Sequence, residues 1–450
     1  MKANAIILAA GLGTRMKSNK PKVLHELGGK PLIKWSVEAC REAFQSAPTV
    51  IVAPQAPGVR EVAGEDCNFV VQEERLGTGH AVLQARPSLK RQADVLVVAN
   101  ADLPFISSET LRSLAARQEQ NPGPLTLLVA ESDEARGFGR IKREQGGRVV
   151  AIVEQAHATQ EELAIRELNV GVYAFAADWL WSNIDGLPIS PKGEYYLTDL
   201  IAKAASESLQ VETVRVLDED EMIGINTRVH LAEAECILRQ RINHHWMEAG
   251  VTMLDPTTTY IGVDVEIGQD TVILPNTHLV GEVRIGSDCR IGPNTTIRDS
   301  SVGNGCMIEA SVVEGAVLEE QVEVGPFSHL RKNAHLGRGV HMGNYGEVKN
   351  SHLEAGVKMG HFSYIGDAHI GENVNIGAGT ITCNYDGKQK NKTEIGADAF
   401  IGSDTMLVAP IRIGKGARTG AGSVVTKDVP DYGLAVGVPA RVIRKLEDRD

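Results

Sequence analysis

The sequence predicts an α/β domain with a Rossmann-like, mainly parallel sheet, followed by a left-handed parallel β-helix of hexapeptide repeats. In the second half of the chain, aliphatic residues recur at every sixth position. In the first half, short aliphatic runs alternate with amphipathic stretches. Between them, Arg228 to Glu248 contains no Gly or Pro and predicts one long helix. We therefore expect domains at 1–226 and 250–450, joined by a linker helix at 227–249.

The six-residue period is the signature of the predicted β-helix. It runs through Ile261, Ile267, Ile273, Leu279, Ile285, Ile291 and Ile297. It slips by half a repeat and resumes at Val324, Leu330, Leu336, Met342 and Val348, and again at Ile395, Ile401, Leu407, Ile413 and Thr419. This period fits a triangular coil of three short strands and about eighteen residues, with each aliphatic side chain pointing inward. We expect the stack to extend from about Tyr260 to Val425.

Two segments depart from the repeat. Residues 382–394 are polar and should leave the stack as an external loop, which makes them a functional candidate. The tail after Val429 contains Pro430 and Pro439 and is expected to pack against the stack or wrap around it without extending it.

The first half supplies the elements of the α/β domain. Predicted strands lie at 5–9, 50–53, 69–72, 95–99, 125–129, 149–153 and 170–175, and predicted helices at 32–44, 80–85, 107–120 and 196–206. In such sheets ligands bind beyond the carboxyl ends of the strands.

Composition narrows the class of protein. The chain has 450 residues, 42% hydrophobic and 23% charged, which is typical of a protein with a packed core. Its net charge of -12 argues against bulk attraction to nucleic acid or to an anionic membrane. No apolar run reaches the roughly 18 residues of a membrane span. Six scattered cysteines without a C-x-x-C pair indicate thiols in a reducing cytoplasm, not a disulfide or zinc framework.

The first chemical motif is a Gly-rich turn directly after the first strand. It reads Leu8-Ala9-Ala10-Gly11-Leu12-Gly13-Thr14-Arg15-Met16 and is followed by Pro21-Lys22. Free N–H groups in such a turn can cradle phosphates, and Arg15 and Lys22 would offset the charge of a leaving pyrophosphate. It lacks the third Gly of a dinucleotide fingerprint and the G-K-[ST] of a Walker A loop. The alternative is a plain strand-to-helix turn with surface charges.

Two further residues carry possible chemistry. Asp102 follows the strand at 95–99, and one carboxylate combined with substrate phosphates is a typical Mg²⁺ site. The alternative is that Asp102 caps the next helix. His361 stands out in Met359-Gly360-His361-Phe362-Ser363-Tyr364, although most single histidines are surface residues.

Together these motifs resemble one bacterial family, the bifunctional N-acetylglucosamine-1-phosphate uridylyltransferases/glucosamine-1-phosphate acetyltransferases. Beside the Gly-rich turn, the resemblance rests on four stretches. These are Gln72…Leu76-Gly77-Thr78-Gly79-His80-Ala81, Gly193-Glu194-Tyr195-Tyr196-Leu197-Thr198-Asp199, Asn375-Ile376-Gly377-Ala378-Gly379-Thr380 and Thr382-Cys383-Asn384-Tyr385-Asp386-Gly387. Asn100-Ala101-Asp102 departs from the more usual aromatic-Gly-Asp. The resemblance covers nearly the whole chain and implies synthesis of UDP-N-acetylglucosamine from glucosamine-1-phosphate, acetyl-CoA and UTP by a homotrimer, without nucleic acid or membrane partners.

The resemblance implies a uridylyltransferase site in the first domain. UTP and UDP-N-acetylglucosamine would be bound by Leu8, Ala9, Ala10, Gly11, Lys22, Gln72, Gly77, Thr78, Asn100, Ala101, Asp102, Gly139, Glu154, Asn169 and Asn226. Within this set, Gln72, Gly77 and Thr78 would contact uracil, and Gly139, Glu154 and Asn169 would hold the sugar. Asp102 and Asn226 would bind Mg²⁺. The oxygen of N-acetylglucosamine-1-phosphate would attack the α-phosphorus of UTP in line while Arg15 and Lys22 stabilise the charge.

The resemblance also implies an acetyltransferase site on the β-helix. His361 would be the general base, oriented by Glu347. Glucosamine-1-phosphate would be bound by Arg331, Lys349, Tyr364 and Asn375, and acetyl-CoA by Ala378, Asn384, Tyr385, Ser403, Ala421 and Arg441. Lys349 could instead be a solvated repeat residue. Arg441 follows a Gly437-Val438-Pro439-Ala440 pattern that resembles generic hexapeptide acyltransferases.

Three other functions are compatible with this architecture. One is a nucleotidylyltransferase whose β-helix is only regulatory, which His361 and the Asn384-Tyr385 loop argue against. Another is a non-catalytic assembly protein, similar to nucleotide-exchange subunits of eukaryotic translation initiation, which Arg15, Lys22 and Asp102 argue against. In the third, only one half of the chain is active.

Overall fold

The computed structural model describes residues 2–54, 56, 58–155, 158–191, 193–216 and 218–446. The chain divides into two compact units, Met1–Ile237 and Leu238–Asp450. The boundary falls inside the helix Arg228–Glu248, which has the bounds expected from the sequence. No helix of the described segments is both long and apolar enough to cross a membrane.

The first unit is built on one twisted sheet. In spatial order its strands are Val211–Arg215, Leu125–Glu131, Glu167–Ala176, Val95–Asn100, Ala3–Leu8, Thr49–Val52 and Asn68–Val71, with Arg140–Arg143 and Val149–Val153 attached beside Glu167–Ala176. Pairing is parallel except along Glu167–Ala176, which is antiparallel to each strand it contacts, and between Arg140–Arg143 and Val149–Val153. A separate two-stranded ladder joins Glu26–Leu27 to Lys30–Pro31. The mainly parallel sheet expected from the sequence is therefore present.

Helices cover both faces of this sheet and supply its core. The α-helices are Leu32–Phe44, Val59–Ala63, Thr78–Gln84, Arg86–Leu89, Ser108–Gln120, Gln160–Leu163, Ala177–Asn183, Asp199–Ser206 and Arg228–Glu248. Short 3-10 helices are Thr14–Met16, Lys22–Leu24, Ile184–Gly186, Glu219–Met222 and, in the second unit, Pro256–Thr258. Two buried clusters, one on each side of the sheet, contain Ile7 and Val97 on one face and Ile6 and Val98 on the other.

The second unit is a β-helix of three parallel sheets, named here the first, second and third face. The first face is Thr252–Met253, Val272–Ile273, Arg290–Ile291, Met307–Ile308, Glu323–Val324, His341–Met342, Lys358–Met359, Asn375–Ile376, Phe400–Ile401, Arg418–Thr419, Gly433–Gly437 and Ala440–Lys445. The second face is Thr259–Ile261, Thr277–Val280, Thr296–Arg298, Val312–Glu314, His329–Leu330, Gly346–Lys349, Ser363–Gly366, Ile381–Cys383, Met406–Val408 and Val424–Val425. The third face is Val265–Ile267, Val283–Ile285, Ser301–Val302, Val317–Leu318, Ala334–Leu336, Ser351–Leu353, Ala368–Ile370, Thr393–Ile395 and Ile411–Ile413.

The repeat residues fill the interior of this coil as predicted. Ile273, Leu279, Ile291 and Ile297 are fully buried, and the remaining repeat positions are nearly so. The left-handed β-helix of hexapeptide repeats is thus confirmed.

The half-repeat slip has a simple structural origin. Successive inward positions are Ile297, Val302, Ile308, Val313, Leu318 and Val324. Three of these steps are five residues long instead of six, so three corners are each shortened by one residue. The coil itself continues without a break, because the parallel register passes through every one of these strands.

In the first unit, the strands Arg140–Arg143 and Val211–Arg215 were not expected, and the helix expected at 196–206 begins at Asp199. In the second unit, two details differ from the sequence expectation. The external loop is shorter than 382–394, because Thr382 and Glu394 belong to the strands Ile381–Cys383 and Thr393–Ile395. The expectation that the tail does not extend the stack was wrong. Gly433–Gly437 adds a further parallel strand to the first face, and only Ala440–Lys445 then turns back antiparallel to it.

Candidate active sites

The first candidate site lies where the strand order of the α/β unit reverses. Ala3–Leu8 has Val95–Asn100 on one side and Thr49–Val52 on the other, and Leu8 is level with Asn100. Two cavities of about 730 and 500 Å³ open at this edge and share Leu8, Thr78, Asn100 and Tyr196 in their walls. They form one continuous cleft at the topological switch point, where α/β sheets bind ligands.

The Gly-rich turn forms one wall of this cleft. Gly13 has a φ of 61°, and a Cβ on it would lie 2.5 Å from the Cβ of Lys22. Only glycine permits this approach in a left-handed conformation. Within the described chain, the N–H groups from Ala10 to Thr14 donate to no protein acceptor. The turn therefore presents unpaired donors to the cleft, as an anion site requires.

Next to the turn, two oxygens converge on one cation. The ammonium of Lys22 donates to Asp102 Oδ2 at 2.5 Å and to Asn226 Oδ1 at 3.1 Å. Arg15 Nη2 donates to the same Asn226 oxygen at 2.8 Å. The backbone N–H of Ile225 donates to the carbonyl of Asp102 at 2.9 Å, which fixes Asn226 beside the carboxylate. The chain thus brings together four residues from three segments that are far apart in sequence.

A second loop pair closes another wall. Tyr195 N–H donates to the carbonyl of Leu76 at 2.7 Å, and Gly79 N–H donates to the carbonyl of Tyr195 at 2.9 Å. Thr78 Oγ1 accepts from the N–H of Leu197 at 3.0 Å. Gly77 has a φ of 98°, and a Cβ there would lie 2.5 Å from the carbonyl oxygen of Tyr195. Two motif stretches that are separate in sequence are therefore one structural unit.

The far end of the cleft is shaped by an irregularity in Glu167–Ala176. The pairing register with Leu125–Glu131 shifts between Asn169 and Tyr173, which turns this part of the strand toward the cleft. Asn169 donates to the Tyr173 hydroxyl at 2.8 Å and accepts from Gly171 N–H at 3.1 Å. Burial, aided by the nearby charge of Glu154, raises the pKa of Tyr173. The phenol therefore stays protonated and can act as a hydrogen-bond donor to a ligand.

The second candidate site lies on the β-helix and has two parts. The first is a column at the corner between the first and second faces. Gly379 N–H donates to the carbonyl of Phe362, which sets His361 level with Ala378. The N–H of Asp404 donates to the carbonyl of Ala378, and the N–H of Gly422 donates to the carbonyl of Ser403. These two bonds continue the column from Ala378 through Ser403 to Ala421. His361 is exposed, and its ring forms no hydrogen bond to any described residue.

The second part is a cluster of positive charge at the opposite edge of the second face. Arg331 Nη1 donates to Glu347 Oε1 at 2.7 Å, and the backbone N–H of Arg331 donates to the carbonyl of Val348, next to Lys349. The ammonium of Lys390 and then the guanidinium of Arg331 lower the pKa of Lys349, while Asp367 opposes them. Three cations held close together in this way favour a bound anion.

The external loop folds over this edge as a small hairpin. Tyr385 and Lys390 form an antiparallel bridge, and Asp386 accepts from the N–H groups of Lys388 and Gln389, both at 2.8 Å. At the base of the loop, Asn384 donates to Asp367 Oδ2 at 2.5 Å and to the Tyr364 hydroxyl at 3.5 Å. The loop is therefore an ordered part of the site.

Comparison with known proteins bears on the whole chain. A family model for a MobA-like NTP transferase domain matches residues 5–190, and one for the bacterial transferase hexapeptide (six repeats) matches 264–299 and 392–427. The Bifunctional protein GlmU of Heliobacterium modesticaldum is 44% identical over 97% of this chain and 95% of its own. Those of Exiguobacterium sibiricum and Fervidobacterium nodosum are 45% and 46% identical, over 96% and 98% of this chain and 96% of their own.

The chain belongs to the GlmU family. The resemblance expected from the sequence is thereby confirmed, as is the enzyme class, a bifunctional transferase. Membership confirms the predicted function as well, which combines uridylyl transfer and acetyl transfer in the synthesis of UDP-N-acetylglucosamine. A purely regulatory β-helix and a non-catalytic assembly protein do not agree with this family.

Most predicted residues of the uridylyltransferase site line the cleft. The cavity walls include Leu8, Ala9, Ala10, Gly11, Arg15, Lys22, Gln72, Gly77, Thr78, Asn100, Asp102, Gly139, Glu154, Asn169 and Asn226. Ala101 does not fit this pattern. It is buried, and its N–H donates to the carbonyl of Leu8 at 3.1 Å, so it holds two strand ends together.

The predicted acetyltransferase residues fall into the two groups described above. His361, Ala378, Ser403 and Ala421 share one column, with Asn375 in the strand that leads to that corner, and Arg331, Lys349, Tyr364, Asn384 and Tyr385 lie around the other edge. The expected orientation of His361 by Glu347 is not formed, because the Glu347 carboxylate pairs with Arg331. Arg441 lies exposed on the antiparallel last strand, opposite Val436.

Sequence reasoning missed several residues that the fold brings to these sites. Tyr196, Thr198 and Glu194 line the cleft and belong to a motif that was recognised but not assigned a role. Tyr173 lies behind the strand irregularity. Lys390 belongs to the cationic cluster with Arg331 and Lys349. Its position in the external loop was the sequence feature that could have indicated this role.

Proposed function

We propose that the cleft of the first unit carries out uridylyl transfer with Mg²⁺ bound between Asp102 and Asn226. The observation that supports this is the convergence of the two side-chain oxygens on a single cation, the Lys22 ammonium. Carboxylate and amide oxygens are the hard donors that Mg²⁺ prefers, and it commonly takes its remaining ligands from water and phosphates. When bound, the ion would offset the negative charge of the phosphate chain.

The residues around this point have complementary tasks. The N–H groups of the Gly-rich turn and the cations of Arg15 and Lys22 bind the phosphates. Gln72, Gly77 and Thr78 hold uracil at the loop pair, whereas Gly139, Glu154 and Asn169 hold the sugar beyond Asn100. An oxygen of N-acetylglucosamine-1-phosphate attacks the α-phosphorus in line, and pyrophosphate leaves toward the Gly-rich turn.

We propose that the β-helix carries out acetyl transfer with His361 as general base. The cations of Arg331, Lys349 and Lys390 bind the phosphate of glucosamine-1-phosphate. His361 takes a proton from the sugar amine, which then attacks the thioester carbonyl and expels coenzyme A as the thiol. Ala378, Ser403 and Ala421 are small or short, so their column leaves a groove for acetyl-CoA that leads away from His361. Asn375 and Tyr364 contact the sugar, and Asn384, Tyr385 and Arg441 contact acetyl-CoA.

One experiment tests both assignments. Thiol release from acetyl-CoA with glucosamine-1-phosphate and pyrophosphate release from UTP with N-acetylglucosamine-1-phosphate are measured for His361→Ala and Asp102→Ala. We expect His361→Ala to abolish only the first activity and Asp102→Ala only the second. His341→Ala, an exposed histidine on the first face, is the matched control and should retain both. Loss of both activities from either site variant would refute two independent sites.

We further propose that the active form is a homotrimer located in the cytoplasm. Phe327 and Tyr345, two exposed aromatic side chains on successive coils, support assembly through the β-helix. The described structure contains no disulfide, which agrees with a reducing compartment where UTP and acetyl-CoA are available. Light scattering of the purified protein at micromolar concentration should give the mass of three chains, and the mass of one chain would refute assembly.

A further inference from the structure

Away from both sites, the third face of the β-helix carries a column of imidazoles. His335, His352 and His369 are level with one another on three successive coils. The ring centroids are 4.2 Å apart for the first pair and 5.5 Å for the second. Glu354 follows His352 on the middle coil and reaches toward the column.

The separations within this group are wider than in the other imidazole–carboxylate pairs of the β-helix. Glu354 Oε1 lies 3.5 Å from His352 Nε2 and 3.6 Å from His369 Nε2. Other imidazole–carboxylate pairs on the β-helix are shorter, at 2.9 Å for His335 with Glu319, 2.8 Å for His341 with Glu323 and 3.3 Å for His329 with Glu314. Hydrogen bonds between such groups normally span about 2.7–3.2 Å. Glu354 therefore faces two imidazole nitrogens without closing on either.

We propose that His352, Glu354 and His369 form a binding site for a divalent transition-metal ion, with Zn²⁺ the best match. One ligand atom from each residue lies within 4.8 Å of the other two. Tetrahedral zinc with bonds of about 2.0–2.1 Å places its donors about 3.3–3.4 Å apart, close to the separations of Glu354 Oε1 from the two imidazole nitrogens. Two imidazoles and one carboxylate suit zinc better than Mg²⁺ or Ca²⁺, which prefer oxygen donors alone. Water would take the fourth position.

The surroundings agree with a site that an ion reaches from solvent. The side chains of His352, Glu354 and His369 are 38%, 36% and 56% exposed. The two histidines border a cavity of about 360 Å³. Lys392 and Glu394 line the same cavity, so their charges offset each other near the ion. His335, tied to Glu319, stacks on His352 and restricts the orientation of its ring.

The site would have a structural role that differs from either transfer reaction. Its ligands come from two neighbouring coils. His352 lies in Ser351–Leu353 and Glu354 directly follows that strand, whereas His369 lies in Ala368–Ile370. A bound ion would connect these coils on the third face. An ion that binds only the folded chain raises the melting temperature, and the rise grows with the logarithm of its free concentration above the dissociation constant.

Equilibrium dialysis of the full-length protein against Zn²⁺ tests the proposal, with millimolar Mg²⁺ present to occupy oxygen-only sites. Bound zinc per chain is measured for the unmodified protein and for His352→Ala, His369→Ala and Glu354→Gln. We expect each variant to bind one ion fewer per chain than the unmodified protein, and to lose the rise in melting temperature on adding Zn²⁺.

His341→Ala is the matched control, because it removes an exposed histidine that also pairs with a glutamate but has no second imidazole nearby. It should bind as much zinc as the unmodified protein. Glu354→Gln preserves the size of the side chain, so its loss of zinc cannot be assigned to misfolding. If all three site variants bind as much zinc as the control, the proposed site does not exist.

Discussion

Gly13 illustrates how one missing side chain positions a cation. A Cβ at this residue would lie 2.5 Å from that of Lys22, and the φ of 61° is unfavourable for any other residue. Gly13→Ala should therefore displace Lys22 from Asp102 and Asn226 and strain the turn by about 1–2 kcal/mol. We expect the rate of pyrophosphate release to fall at least tenfold, with acetyl transfer unchanged.

Gly186→Ala is the control for this substitution. Gly186 lies outside the cleft, and a Cβ there would have no neighbour within 4 Å. Both activities should remain. Circular dichroism of both variants would show that the fold is intact, and full uridylyl activity in Gly13→Ala would contradict the role assigned to the Lys22 position.

Lys390 allows a prediction about charge and pH. Because its ammonium and Arg331 lower the pKa of Lys349, that lysine loses its proton at a lower pH than a free lysine would. Lys390→Ala removes the larger cause, so the pKa of Lys349 rises and the alkaline fall of phosphate binding moves to higher pH. Losing one charged contact should also raise the KM for glucosamine-1-phosphate about tenfold.

Measuring kcat and KM for acetyl transfer against pH checks both effects at once. Lys388→Ala removes the same charge from the same loop but not from the cluster, so it should leave KM and the alkaline limb in place. An unchanged KM in Lys390→Ala would mean that the phosphate binds elsewhere.

At the residue scale, sequence motifs identified the reacting groups better than the groups that surround them. Asp102 and Asn226 were found because the family pattern preserves each within a short motif. Ala101 was assigned to the nucleotide, yet its N–H is used between two strand ends, which depends on sheet pairing. The pairing of Glu347 with Arg331 likewise depends on adjacent coils. Side-chain partners set by tertiary register are not visible in a linear sequence.

Within the β-helix strands, Thr419 places a hydroxyl at a repeat position that is otherwise aliphatic. Thr419 is buried, and its Oγ1 accepts from the N–H of Gly402 at 2.8 Å and lies 3.0 Å from the hydroxyl of Thr405. Thr419→Val keeps the shape but leaves a buried N–H without an acceptor. The free energy of unfolding should fall by about 1–3 kcal/mol.

Denaturant unfolding of the full chain measures this change. Thr296→Val makes the same atomic substitution on a half-exposed strand position and should alter stability by less than about 0.5 kcal/mol. A Thr419→Val protein as stable as the unmodified chain would show that the hydroxyl is not needed at this corner.

The helices and strands were largely predictable, because a regular spacing of buried aliphatic residues in the sequence requires a regular backbone geometry. The six-residue repeat located the stacked faces, and the helix Arg228–Glu248 followed from a long stretch free of Gly and Pro. The period showed the half-repeat slip but not its origin, since a corner can lose one residue while the register of the strands is kept. The added strand Gly433–Gly437 was missed because Pro430 and Pro439 suggested that the stack had ended.

At the scale of the whole molecule, the two candidate sites differ in how enclosed they are. In the first unit, the side chains of Lys22 and Asp102 are only 13% and 19% exposed, so one chain encloses its own reaction centre. On the β-helix, His361 is exposed and Tyr385 is 62% exposed. Acetyl transfer needs water excluded from the amine and the thioester. A neighbouring chain would complete the second site, whereas the first does not need one.

Phe327 and Tyr345 mark the surface on which such a neighbour would pack. They lie on successive coils with ring centroids 5.3 Å apart, are 58% and 60% exposed, and have φ values of 61° and 56° that bulky residues rarely adopt. Exposed aromatic pairs are typical of the core of protein–protein interfaces. Phe327→Glu would place an unpaired charge there, so we expect a monomer that loses acetyl transfer and retains uridylyl transfer.

Light scattering and the two assays on the same preparation test this prediction. Val280→Glu is the control, because it places the same charge on an exposed apolar position of the second face that is not part of the aromatic pair. It should retain the assembled mass and both activities. A monomeric Phe327→Glu protein with full acetyl transfer would show that a single chain suffices for that reaction. Loss of acetyl transfer together with the assembled mass, while uridylyl transfer is kept, would show that only the β-helix site depends on assembly.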